Sequence, residues 1–71
     1  MKIFDAGQLR QARRNAKLTL RDASKFLFLA ASSIVAKENG TVRVFADELT
    51  TFAELYGVTV DYFFIEKKAV P

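Results

Sequence analysis

The sequence predicts an all-α domain, a compact bundle of five short helices, and three observations carry that expectation. Gly7, Gly40, Gly57 and Pro71 are the only glycines and prolines, so few residues interrupt a helix. The alternation of apolar and polar residues that marks a half-buried strand is nearly absent. Apolar residues instead recur at spacings of three and four in segments bounded by capping residues.

The first helix is expected to start at Asp5, whose carboxylate suits an N-cap. Its apolar stripe is Leu9, Ala12 and Ala16, and Arg10, Arg13, Arg14 and Lys17 cover the rest with positive charge. Thr19 caps the second: its hydroxyl can accept a free N–H of the first turn, and Asp22 at the third helical position has the charge sign that the helix dipole favours there. This helix should run to about Leu27. A third covers roughly Ala31 to Glu38 and stops at Asn39-Gly40, where glycine can take the left-handed conformation that closes a helix end. After a loop of Thr41 to Phe45, Asp47 and Glu48 open a fourth helix with Leu49, Phe52, Ala53 and Tyr56 on one stripe, closed by Gly57. A short fifth helix is expected at about Asp61 to Glu66.

With 71 residues, 51% of them hydrophobic, the chain can build one core. We expect a single domain over 1–71, with its core at about 5–66 and a frayed basic tail at 67–71. There is no cysteine and no histidine, which excludes disulfides, thiolate and imidazole metal ligation, and imidazole acid–base chemistry. The carboxylates are scattered, and Ser32 and Ser33 have no histidine to activate them. Neither an enzyme nor a bound metal or cofactor is expected. The longest uncharged run, Phe26 to Ala36, falls far short of the roughly 20 apolar residues that span a bilayer, and Asp5 and Gln8 spoil the start as a signal peptide. No membrane association is expected, and for a bacterial chain the expected location is the cytoplasm.

The net charge of +3 is unevenly spread. Up to Arg43 the chain carries nine Lys and Arg against three acids, a net +6; the remainder is −3. One half is suited to face a polyanion.

The order helix two, short connection, helix three, Glu38-Asn39-Gly40, and then Leu55-Tyr56-Gly57-Val58-Thr59-Val60-Asp61-Tyr62-Phe63-Phe64, resembles the five-helix, lambda-repressor-like helix-turn-helix domain of phage repressors, Cro proteins and their bacterial relatives. The resemblance covers about residues 7 to 65 without a gap. It implies a transcription regulator, by the family's habit a repressor, that binds double-stranded operator DNA as a homodimer with helix three in the major groove. By that register Ala31, Ser32 and Ala36 occupy base-edge positions, with Ser33 and Val35 as neighbours. Thr19, Leu20, Asn39, Thr41 and Arg43 occupy positions that meet phosphates, and Arg21 and Lys37 add charge beside them. An ion pair between Arg13 and Glu38 is also implied. Independently, Glu38 sits at the helix end where the dipole disfavours an anion, so a cation such as Arg13 or Arg14 is expected beside it.

The chain departs from the family pattern at several positions, among them Lys37 in place of a usual apolar residue, Ala46 of a usual leucine and Val44 of a frequent proline. Phe28 stands where glycine is usual between helices two and three, so either the ring residue takes a strained positive φ or the turn is rebuilt. Ala30 replaces a capping serine or threonine, which would delay the start of helix three to Ser32 or Ser33. Ala31, Val35 and Ala36 cannot make the bidentate hydrogen bonds of direct base readout, so the expected operator specificity is weak. In the family register Phe26 and Phe28 face outward. Two outcomes are open: the turn folds the rings in, or they form an apolar patch for a protein partner. The patch supports a second reading, a protein-interaction module on this fold with little DNA binding. Tyr62, Phe63, Phe64 and Ile65 cannot all face one side of a helix, so Tyr62, Phe64 and Ile65 join Phe26 and Phe28 as candidate interface residues.

Overall fold

The computed structural model describes residues 1–66; the expected tail at 67–71 lies outside the described residues. The elements in chain order are β1 (Lys2–Phe4), α1 (Gly7–Asn15), α2 (Leu20–Leu27), α3 (Ala31–Glu38), α4 (Ala46–Tyr56), a single 3-10 turn (Val60–Phe63) and β2 (Phe64–Glu66). The four α-helices fall in the four expected segments, though α1 is capped at Ala6 instead of Asp5 and α3 starts at Ala31, and the fold is mostly helical.

The expected fifth helix is corrected. Val60–Phe63 forms one turn of 3-10 helix, and Phe64–Glu66 leaves it as a strand, antiparallel to Lys2–Phe4. The register pairs Lys2 with Glu66, Ile3 with Ile65 and Phe4 with Phe64. The physical reason is local and cross-strand together. The segment is too short to repay helix nucleation, and its β-branched and aromatic residues suit a pleated surface. The Phe4 and Phe64 rings meet edge to face with centroids 5.8 Å apart, and the Met1 ammonium lies 2.7 Å from Glu66 Oε1. The packed part therefore reaches further towards the N-terminus than residue 5, and the domain is not all-α.

Nine side chains form the core: Leu9 and Ala12 from α1, Ala23 from α2, Ile34 from α3, Leu49, Phe52, Ala53 and Tyr56 from α4, and Phe63 from the 3-10 turn. The turn is tied to the start of α1, since Gln8 Nε2 donates to Tyr62 O at 3.2 Å and Asp5 N–H to Phe63 O at 2.8 Å. The Tyr56 hydroxyl is buried with no hydrogen-bond partner among the described residues. Burial, reinforced by the charge of Glu38, pushes its pKa up to about 12.

The helix ends explain much of the geometry. Asp5 sits one residue further out than an N-cap; its Oδ1 accepts the Gly7 N–H at 3.0 Å, while the cap position is Ala6. At α3, Gly40 has φ +79°, Gly40 N–H donates to Lys37 O and Thr41 N–H to Ala36 O, the paired bonds of a Schellman closure. The same closure ends α1, but there the left-handed residue is Lys17, at φ +60°. Leu18 N–H reaches Arg13 O, and Lys17 N–H reaches Arg14 O.

Phe28 also takes the left-handed conformation, at φ +56°, so the turn keeps the shape that glycine would give it and is not rebuilt. Ser24 Oγ donates to Leu29 O and bridges the turn from within. Left-handed φ costs a residue with a Cβ roughly 1–2 kcal/mol, and Phe28, 93% exposed, recovers none of it by burial. Phe28→Gly should therefore stabilise the domain by about 0.5–1 kcal/mol, after allowing for the extra freedom glycine gives the unfolded chain. An upward shift of the urea midpoint checks this; a downward shift would show that the ring supports the fold.

Candidate nucleic-acid interface

Thr19 and Asp22 fix the start of α2 by a reciprocal pair of bonds. Thr19 N–H donates to Asp22 Oδ2 at 2.9 Å and Asp22 N–H to Thr19 Oγ1 at 3.1 Å. These bonds hold the Asp22 carboxyl below its ordinary range. The Thr19 hydroxyl accepts in this box, so its own hydrogen is left to donate outward.

Helix α3 begins at Ala31 despite the alanine at its cap position, so the expected delay to Ser32 or Ser33 does not occur. Its inward residues are Ile34, Lys37 and Glu38, all buried, which follows from spacings of three and four on one side of a helix. Ser32, Val35, Ala36 and Asn39 recur at the same spacings on the opposite side. Ala31, Ser32 and Asn39 are exposed, while Ser33, Val35 and Ala36 are half-buried.

The closing end of α3 is held by ion pairs. Arg13 Nε donates to Glu38 Oε2 at 2.8 Å and Arg13 Nη2 to Glu38 Oε1 at 3.2 Å, a two-point contact across α1 and α3. The hydrogen bond to Glu38 raises the Arg13 pKa above its usual value, against the lowering effect of burial. Arg13 Nη1 also reaches Leu18 O at 3.0 Å. Arg10 adds a longer bond to Glu38 Oε1 at 3.4 Å and a second bond to Asn39 Oδ1. That second bond fixes the Asn39 amide by its oxygen and leaves the Nδ2 hydrogens uncommitted among the described residues.

Two expected phosphate donors are otherwise engaged. Lys37 is buried, and its Nζ lies 3.2 Å from Arg43 O and 3.2 Å from Glu48 Oε2. Thr41 directs both its N–H and its Oγ1–H at Ala36 O, so neither can donate outward. Arg21 and Arg43 remain exposed, and Leu20 is half-buried. The Arg43 guanidinium carbon lies 5.4 Å from the Phe45 ring centroid, a cation–π contact that limits where it can swing. Beside it, an open hollow of about 690 Å³ separates the Val42–Val44 loop from the chain-end sheet.

Sequence reasoning missed the bond from Arg10 to Asn39 and the support of Arg43 by Phe45. The second had a signal in the spacing, since a cation and an aromatic ring two residues apart in an extended loop share a side. The candidate interface residues at the chain end divide: Tyr62 and Phe64 are half-buried, with the Tyr62 hydroxyl accepting from Asn15 Nδ2 at 3.4 Å and Phe64 against Phe4. Ile65 is exposed beside Ile3.

No group of His, Cys, Asp or Glu among the described residues could hold a metal ion, and none of their helices is long and apolar enough to cross a membrane. Among known proteins, no curated sequence and no solved structure matches the chain. Residues 6–62 do match a known family, and they contain α1 to α4 and the 3-10 turn up to Tyr62. With two helices, the first capped by Thr19, joined by a left-handed turn inside that span, the chain belongs to the helix-turn-helix domain family, the architecture of a DNA-binding regulator.

Proposed function

We propose that the protein is a cytoplasmic, phage-type transcriptional repressor that binds operator DNA as a homodimer. In this reading α3 enters the major groove with Ala31 and Ser32 leading, and Ser33, Val35 and Ala36 stand beside them. The observation that supports it best is the division of α3 between a buried, ion-paired side and an outward side running from Ser32 to Asn39. Ser32 and Ser33 can make single hydrogen bonds and the alanines and Val35 can touch thymine methyl groups, so sequence discrimination is modest.

Phosphate contacts fall to the Thr19 hydroxyl, the backbone at Leu20, Arg21, the Asn39 amide and Arg43. Lys37 acts at one remove, by holding the Arg43 carbonyl, and Thr41 by closing α3. Dimer contact through Ile65, joined by Ile3, lies on the chain-end sheet.

Fluorescence anisotropy of labelled duplexes between about 50 and 200 mM salt tests the reading. Affinity should fall steeply with salt. Arg43→Ala should weaken binding to every sequence alike and lower the salt slope by about 1, whereas Ser32→Ala should weaken only the preferred sequence. Absence of binding at low salt overturns it.

A further inference from the structure

Two aromatic rings have no part in the proposed DNA contacts. Phe26 is 65% exposed and Phe28 is 93% exposed, the latter on a left-handed backbone that glycine would occupy more cheaply. Most of each ring's surface is exposed, and neither is among the residues assigned to DNA. Phe26 lines a groove between α2 and α4 made of two hollows, of about 280 and 260 Å³, which share Leu27 and Thr51, and Phe28 follows directly at the end of α2. Leu29 and Phe52 floor one; Phe26 and Leu55 line the other.

The charge around this groove is of one sign. Asp47 and Glu48 border the first hollow and Glu54 the second, and no basic side chain lines either. Glu48 is engaged by Lys37 and by the Phe45 N–H, which leaves exposed Glu54, and exposed Asp47 whose Oδ1 accepts the Glu48 N–H, as the carboxylates without a cationic partner among the described residues. An apolar floor with an acidic rim repels nucleic acid and suits a segment that alternates apolar residues with Lys or Arg.

We propose that the α2–α4 groove is a docking site for a basic amphipathic segment of a partner protein, with Phe26 and Phe28 closing over its apolar side. The site is separate from α3 and Arg43, so the partner and DNA can be held together. It stands whether or not the DNA reading does.

The test uses two helical probe peptides of equal length, Leu and Lys in one, Leu and Glu in the other, titrated into the isotope-labelled full chain and followed by amide NMR shifts. The Leu/Lys peptide should move Phe26, Leu27, Thr51, Glu54 and Leu55. Its affinity should drop about tenfold in Phe26→Ser/Phe28→Gly and again in Glu54→Lys, while the Leu/Glu peptide leaves these signals in place. The Phe28→Gly change relieves strain and Glu54 is exposed, so both variants keep the fold, which their own spectra verify.

Three results overturn the proposal. One is equal binding of both peptides, or binding of neither. Another is concentration-dependent self-association in sedimentation that Phe26→Ser/Phe28→Gly abolishes, which assigns the groove to a second copy of the chain. The third is loss of DNA affinity in that variant, which assigns the rings to DNA.

Discussion

Replacing Arg13 by alanine is expected to lower folding stability by about 3–5 kcal/mol, because it strands a carboxylate inside the protein. The Glu38 side chain is 1% exposed, and Arg13 supplies its two shortest bonds. Arg10 cannot take over: it reaches Glu38 at 3.4 Å from a position 39% exposed, where screening by water weakens the pair. Arg10→Ala should accordingly cost no more than about 1 kcal/mol. Removing both members together, as Arg13→Met with Glu38→Leu, should cost much less than the sum of the single changes, since no unpaired charge is left behind. Urea denaturation of Arg13→Ala, Arg10→Ala, the double variant and its two component single changes measures this. A loss below about 1 kcal/mol in Arg13→Ala would mean that water or Arg10 satisfies Glu38, and that the pair does not fix α3 against α1.

That Glu38 needs a cation was legible because it sits at the helix end that disfavours an anion, an argument that needs only position along one helix; it left Arg13 and Arg14 open, and the family resemblance pointed to Arg13. The same kind of local information gave the Thr19–Asp22 box, the ends at Gly40 and Gly57, and the start of α4. What sequence reading could not reach depends on residues far apart in the chain. Lys2–Phe4 is too short to show alternation, and its partner Phe64–Glu66 lies some sixty positions later, so neither strand announces itself alone. Lys37 read as a surface cation because its charge was visible and the Glu48 and Arg43 carbonyl partners that bury it were not. Of the site, the outward positions of α3 were legible from helical spacing; which donors remain free towards phosphate depended on bonds closed after folding.

The Phe63→Ala change should also cost about 3–5 kcal/mol, by leaving a cavity where a fully buried ring stood. For a domain of this size the total stability is roughly 3–10 kcal/mol, so the variant should be largely unfolded near 37 °C. The ring does more than fill space. It anchors the 3-10 turn beneath α1, and the turn delivers Phe64–Glu66 to pair with Lys2–Phe4. Asp5 N–H binds Phe63 O, so the start of the chain loses its mooring with the ring. Ile65→Ala, one strand position from the pair that faces the core and 39% exposed, should cost less than about 1 kcal/mol. Thermal melts followed by circular dichroism separate two outcomes. A single transition lowered by Phe63→Ala means that the chain ends unfold with the helices as one unit. If the helical signal persists while the chain-end sheet is lost, α1 to α4 are stable without it, and any dimer contact through Ile65 rests on a segment that can open independently.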